Sequence, residues 1–124
     1  MARRNIKTTN IEFTQEISDY LDKRLQSAQK LIDPNDTSVL FDIEIGKTTK
    51  HHQSGNIFRA EINLHIAGKQ MRVSSEEATI FNAIDKVEKE IVRELRRFKG
   101  KRLRFIRKGG AKLKNLMRAI YPRR

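Results

Sequence analysis

The alternation of apolar and polar residues predicts three strands in the middle of the chain. Apolar side chains occupy every second position from Val39 to Ile45 and again from Phe58 to Ile66. This is the period of a strand with one buried face. Met71 and Val73 continue the alternation after a tight turn at Ala67-Gly68-Lys69-Gln70 and predict a shorter third strand. The polar stretch between the first two strands is typical of a mobile hairpin loop.

Two further segments carry apolar residues at steps of three and four, which predicts amphipathic helices. The first runs from Ile17 to Ile32, with Thr14 as its expected N-cap. The second starts near Thr79, with Thr79 or Ser75 as the cap, and Gly100 is its expected stop.

A loose alternation between Ile6 and Phe13 predicts one more strand, which precedes the first helix. The predicted order is β-α-β-β-β-α, an α+β fold with one four-stranded, mostly antiparallel sheet. Because each helix has a single apolar stripe and each strand a single apolar face, we expect both helices to pack on the same face of the sheet.

Composition limits the class of protein. A chain of 124 residues predicts one domain. The absence of Cys excludes a disulfide scaffold, a zinc-cysteine site and a thiol nucleophile. No apolar run approaches the roughly 20 residues of a membrane span, and no apolar segment follows the basic N-terminus as in a signal peptide. The net charge of +12 indicates a polyanionic partner, with nucleic acid as the first candidate.

The positive charge is concentrated at the C-terminus. Eleven Lys and Arg residues follow Phe98, whereas the last acidic residue is Glu94. We therefore divide the chain into a body, residues 1–99, and a basic C-terminal extension, residues 100–124. A hinge at Gly109-Gly110 and a short amphipathic helix are expected in the extension, from the apolar residues Leu113, Leu116, Met117 and Ile120. The alternative is a solvated, disordered extension. The candidate RNA-binding residues of the extension are Lys101, Arg102, Arg104, Arg107 and Lys108.

The second helix carries the clearest functional pattern. At about 100° per residue, its basic residues share the side opposite the apolar stripe, and its acidic residues lie on the flanks between the two. We call this set the cationic stripe; its members are Lys86, Lys89, Arg93, Arg96 and Arg97. Such a surface favours binding to a phosphate-rich groove; the alternative is a solvated helix with i,i+4 ion pairs. On the first helix, Lys23 and Lys30 share the outer face, interrupted by acidic residues.

Residues suited to catalysis are few. His51 and His52 are adjacent in a polar loop, and His65 falls on the polar face of a predicted strand. A zinc site needs three or four convergent ligands, and no phosphate-binding glycine motif is present. We therefore expect no metal, no cofactor, no small-molecule substrate and no enzymatic activity.

Four stretches in the order and spacing of this chain resemble the ribosome hibernation-promoting factors, also called ribosome-associated inhibitor or protein Y. The likeness covers about residues 5–100. The stretches are Asn10-Ile11-Glu12-Phe13-Thr14, Arg59-Ala60-Glu61-Ile62-Asn63-Leu64, Ala67-Gly68-Lys69, and Ala83-Ile84-Asp85-Lys86 continued by Arg93-Glu94-Leu95-Arg96-Arg97. The chain departs from the family at Glu90, where Lys is usual and Lys89 stands one position earlier, and at Glu88, where an apolar residue is usual.

The resemblance implies a fold related in shape to double-stranded RNA-binding domains. It also implies a cytoplasmic, ribosome-associated protein that binds small-subunit rRNA in the channel used by mRNA and by A- and P-site tRNA. Occupancy of that channel would block translation in idle ribosomes. Carried over by position, the implied rRNA contacts are Lys86, Arg93, Arg96 and Arg97, with Lys23 and Lys30 from the first helix.

The chain looks like the short, single-domain form of the family, without the C-terminal dimerisation domain of the long members. We therefore expect a monomer away from the ribosome and no ribosome pairing through such a domain. Two other functions stay open: a constitutive RNA-binding or ribosomal structural protein, and a membrane- or protein-binding adaptor that uses the amphipathic segment of the extension.

Overall fold

A computed structural model of the chain describes residues 3–48 and 57–109, with side chains described as far as Lys101. The elements follow the predicted order β-α-β-β-β-α. Their bounds are β1 Arg3–Thr9, α1 Gln15–Gln29, β2 Leu40–Thr48, β3 Ile57–Ile66, β4 Lys69–Glu77 and α2 Ile80–Gly109. The predicted α+β class is confirmed.

The four strands form one mixed sheet in the order β1-β2-β3-β4. β1 pairs with β2 in parallel, and α1 makes the crossover connection that a parallel pair requires. β2, β3 and β4 pair antiparallel as a meander. The sheet is therefore mostly antiparallel, as the sequence predicts.

The apolar face of the sheet and the apolar stripes of both helices form one hydrophobic core. Phe41 of β2, Ile62 of β3, Leu21 of α1 and Ile91 of α2 are at most 1% exposed and belong to the same buried cluster. The other face of the sheet carries polar side chains at alternate positions and is left open. Both helices therefore cover the same face of the sheet.

The cap of each helix is explained by local hydrogen bonds. The Thr14 Oγ1 accepts a hydrogen bond from the Ile17 N–H at 3.2 Å, as predicted. The Thr79 Oγ1 accepts from the Asn82 N–H at 3.1 Å and caps α2. Ser75 does not cap: its buried hydroxyl donates to the Ala83 carbonyl at 2.7 Å and ties β4 to α2.

Several predicted boundaries are wrong. β1 begins at Arg3, before the Ile6–Phe13 stretch in part of which a strand is predicted, and α1 ends at Gln29, although Ile32 remains buried beyond it. β4 is nine residues long rather than a short strand. Most importantly, α2 does not stop at Gly100 but continues to Gly109, because one glycine weakens a helix by only about 1 kcal/mol.

Two predictions concern residues outside the described part of the chain. The proposed mobile loop falls mostly in residues 49–56, and the proposed amphipathic helix of the extension falls in residues 110–124. Within the described residues, neither helix combines the length and the hydrophobicity that crossing a membrane would require.

Candidate nucleic-acid interface

The cationic stripe lies on the outer face of α2. All five of its members are exposed, whereas the apolar residues that alternate with them, such as Val87, Ile91 and Leu95, are buried against the sheet. This arrangement follows from the helical period, because a helix packed on a sheet must turn its opposite side to solvent.

Two members of the stripe are paired within the molecule. The Lys86 Nζ lies 3.4 Å from a carboxylate oxygen of Glu77, at the end of β4. The Arg97 Nη1 donates to Glu94 at 3.1 Å, one turn away on the same helix. Both basic side chains remain more than half exposed, so these pairs are weak and screened by solvent.

The remaining three members, Lys89, Arg93 and Arg96, form no ion pair among the described residues. The alternative interpretation, a helix laced with i,i+4 pairs, therefore does not describe this face. A shallow depression of about 440 Å³ lies along it and is lined by three cations and three carboxylates: Lys86, Lys89 and Arg93 with Glu77, Asp85 and Glu90.

The acidic residues on one flank of α2 are bound to α1. Asp85 accepts a hydrogen bond from Tyr20 Oη at 2.6 Å and forms an ion pair with the Arg24 Nε at 2.8 Å. Glu88 accepts a hydrogen bond from the Ser27 hydroxyl. Packing between the helices thus engages both carboxylates with α1, while Asp85 still lines the depression on the outer face of α2.

The same cluster contains two aromatic contacts. The Tyr20 and Phe81 rings meet edge to face with centroids 5.0 Å apart, and the Arg24 guanidinium lies 5.2 Å from the Tyr20 ring centroid. The hydrogen bond from Arg24 to Tyr20, followed by the charge of Asp85, raises the pKa of the Arg24 guanidinium above its usual value. Arg24 is therefore a structural cation that holds the two helices together.

The candidate residues outside the stripe are placed as follows. Lys23 and Lys30 are exposed on α1, and Lys101 is exposed on α2. Arg102, Arg104, Arg107 and Lys108 belong to the last turns of α2, where side chains lie outside the description. At about 100° per residue, positions 104, 107 and 108 fall in the angular sector of the stripe, whereas position 102 falls in that of the apolar face.

Lys99 is a cation of the basic run that points inward. Its Nζ donates a hydrogen bond to the Leu31 carbonyl at 2.9 Å, just beyond the end of α1. Burial lowers the pKa of the Lys99 ammonium. At least one residue of the basic run in this chain, Lys99, therefore has a structural role.

The open face of the sheet has a balanced charge. Its basic and acidic residues are equal in number and alternate across the strands: Arg3, Lys7, Arg59 and Arg72 against Asp42, Glu44, Glu61 and Glu76. Glu61 binds both Arg59, at 2.8 Å, and Arg72, at 3.1 Å. This face lacks the excess of positive charge that distinguishes the outer side of α2.

His65 lies on this open face, where its Nε2 is 3.3 Å from Asp42. Within the part of the chain that is described, no three His, Cys, Asp or Glu side chains converge as metal ligands do. His51 and His52 lie outside that part.

Comparison with known proteins identifies the family. The model of the Sigma 54 modulation protein / S30EA ribosomal protein family matches residues 4–103, and the chain belongs to this family. No match is found among curated protein sequences. The resemblance to the hibernation-promoting factors is thereby confirmed. This is a family of ribosome-associated proteins, and its description names no enzymatic reaction.

Two solved structures have a similar fold. The N-terminal domain of Protein Y from Thermus thermophilus superposes with a TM-score of 0.63 at 25% identity, over 79% of this chain and 99% of that one. A ribosomal subunit interface protein from Coxiella burnetii gives a TM-score of 0.59 at 12% identity, over 79% and 98% of the two chains. At this identity the second likeness shows the fold alone.

Proposed function

We propose that this protein binds rRNA of the small ribosomal subunit in the channel used by mRNA and by A- and P-site tRNA, and that it blocks translation in idle ribosomes. Membership of a ribosome-associated family supports this function.

The observation that carries the proposal is the set of unpaired cations on the outer face of α2. Lys89, Arg93 and Arg96 repel one another and have no carboxylate partner among the described residues. Phosphate groups relieve this repulsion, and each phosphate neutralised releases condensed counterions. A phosphate backbone is therefore the partner that this face fits best.

The length of α2 suits a long backbone contact. Its 30 residues extend for about 45 Å at 1.5 Å per residue. Phe98 is the last buried residue of the described side chains. Because positions 104, 107 and 108 fall in the sector of the stripe, we include Arg104, Arg107 and Lys108 in the proposed interface, with Lys101 and Arg102 beside them. The exposed Lys23 and Lys30 of α1 are its proposed outlying contacts.

Inhibition would act by steric occupancy. Structured RNA is recognised largely by its shape and by contacts to phosphates and 2′-hydroxyl groups rather than by base edges. A helix with Lys and Arg along one side, and with no exposed aromatic residue among its described side chains, suits that mode of binding. A folded body held in the channel leaves no room for tRNA and mRNA.

Charge reversal in the stripe tests the proposal. We expect the double variant Arg93→Glu/Arg96→Glu to lose cosedimentation with small subunits in sucrose gradients and to stop inhibiting in vitro translation. Wild-type protein should also compete with tRNA for the A and P sites. The matched control is Arg3→Glu/Lys7→Glu, which makes the same change in net charge on the open face of the sheet.

Equal binding by the stripe variant and the wild type would refute the interface. If the control loses binding as strongly as the stripe variant, only bulk charge matters and the proposed site is wrong. One copy on every ribosome during rapid growth would instead indicate a constitutive ribosomal component. Binding to anionic vesicles but not to ribosomes would indicate a membrane adaptor.

A further inference from the structure

A cationic cleft adjoins the stripe at the edge of the sheet. It lies between the start of β4 and the C-terminal half of α2 and has a volume of about 280 Å³. Lys69 and Arg72 line it from β4, and Arg97 and Lys101 line it from α2. Lys69 and Arg72 are far from the other basic residues in sequence, and the pattern of the chain gave no reason to group them.

The floor of the cleft belongs to the core. Met71 and Phe98 lie between the two walls and are 8% and 7% exposed. The preceding turn is also well defined, because Ala67 and Gly68 both adopt positive φ angles, the conformation of a two-residue hairpin turn. The cations of the two walls are therefore held at a fixed separation by rigid elements.

Positive charge dominates the cleft. Its one lining carboxylate, Glu94, already accepts a hydrogen bond from Arg97 at 3.1 Å. Arg72 extends from the open face of the edge strand β4, where its Nε binds Glu61 at 3.1 Å, and its side chain is 67% exposed. No described residue bonds to its two terminal nitrogens, which leaves a pair of donors suited to a phosphate.

We propose that this cleft binds the phosphodiester backbone of a second RNA segment, next to the segment bound along the stripe. The inference rests on the proposed function and extends it, because Arg97 belongs to both the stripe and the cleft. Lys69 and Arg72 line the wall opposite Arg97, beside the segment that is bound along the helix face. The partner surface is therefore two adjacent phosphate backbones, as in a structured rRNA junction, rather than a single strand.

The salt dependence of binding measures the contribution of the cleft. We expect Lys69→Gln/Arg72→Gln to reduce the slope of log K against log salt, for binding to small subunits, by roughly 1.5 in magnitude, since each phosphate contact contributes about 0.7–0.9. The control Arg3→Gln/Lys7→Gln removes the same two charges from β1 and should leave the slope unchanged. Thermal unfolding of both variants checks that the fold is retained.

Directed hydroxyl-radical cleavage provides a second, independent readout. The chain has no cysteine, so Lys69→Cys and Lys7→Cys each create a unique site for an iron chelate. We expect cleavage of rRNA from position 69, at nucleotides different from those cleaved from Lys86→Cys, and none from position 7.

The outcomes separate this inference from the proposed function. If Arg93→Glu/Arg96→Glu loses binding while the cleft variant keeps the wild-type slope, the cleft is wrong and the stripe stands. Absence of rRNA cleavage from position 69, or cross-linking there to protein alone, also overturns the cleft. If the wild type does not bind small subunits, both proposals fail.

Discussion

The turn between β3 and β4 is occupied by Ala67 and Gly68, with φ angles of 52° and 75°. Positive φ at both central residues defines the hairpin turn whose twist matches that of the flanking strands. Glycine adopts this conformation freely, whereas a side chain pays roughly 1–2 kcal/mol for it. The sequence predicted a turn here, and the structure shows that an alanine occupies a strained position in it.

Substitutions in this turn should act in opposite directions. We expect Ala67→Asn to raise the free energy of unfolding by up to about 1 kcal/mol, because Asn-Gly is the preferred pair for this turn. Gly68→Ala should lower it by about 1 kcal/mol through backbone strain alone, since a Cβ at this position meets no atom within 4 Å. Urea unfolding of both variants measures the effects. A stabilising Gly68→Ala would contradict the assigned conformation.

Gly46 has a different role in the interior strand β2. A Cβ at this position would lie 2.6 Å from the Thr9 carbonyl oxygen, which is closer than such atoms approach. Thr9 is the register partner of Gly46 in the parallel pair of β1 and β2. The glycine therefore permits the last pairing of β1, a requirement that the alternating pattern of β2 does not reveal.

At the scale of the elements, α2 is attached to the segment of α1 and its C-terminal continuation at three residues between Asp85 and Lys99. Near the start of α2, Asp85 and Glu88 bind α1. Further along α2, Lys99 binds the Leu31 carbonyl beyond the end of α1. These contacts fix the rotation of α2 about its axis. The rotation in turn decides that Lys89, Arg93 and Arg96 point to solvent.

The lowered pKa of Lys99 predicts a pH dependence of stability. Burial lowers the pKa of Lys99 in the folded state, while the unfolded chain keeps the usual pKa of about 10.5. Between these two pKa values the unfolded state binds more protons than the folded state. The free energy of unfolding therefore rises as the pH rises through this interval. We expect the free energy of unfolding of the wild type, minus that of Lys99→Met, to increase from neutral pH to a pH of about 10. Urea titrations of both proteins at several pH values measure it. A difference that falls with pH would show that the ammonium is not desolvated.

At the scale of the molecule, the excess of positive charge lies on one side, and the charges on the other side balance. The outer side of α2 and the adjoining cleft carry the excess of cations, whereas acids and bases balance on the open face of the sheet. A surface of this kind orients a protein on a polyanion before contact, because the attraction acts from one side only.

Removing charge from the last turns of α2 should weaken binding through electrostatics. We expect replacement of Arg104, Arg107 and Lys108 by Gln to reduce the salt slope of binding to small subunits by roughly 2 to 3, since about 0.7–0.9 is lost per contact. The body should still bind, because the stripe is intact. Filter binding at several salt concentrations measures the slope. An unchanged slope would show that these residues do not contact phosphates.

The periodicity of the sequence predicted the elements well and their ends less well. The order and the buried faces of these elements follow from two patterns: the alternation in β2 and β3, and the apolar stripes of both helices. Burial on one face makes apolar residues recur every two positions in a strand and every three to four in a helix. The end of α2 was misplaced because Gly100 was taken as a stop. A glycine inside a helix is tolerated when the residues on both sides favour the helix.

By itself, the sequence determined the α+β order, the apolar faces and the cationic stripe, because each depends on the spacing of residues within one element. Only the tertiary structure decided which charges remain free. It paired Asp85 with Arg24 and Lys99 with the Leu31 carbonyl, and it brought Lys69 to Lys101 across the edge of the sheet. Such contacts join residues that are distant along the chain, so they depend on how the elements pack and leave no periodic trace in the sequence.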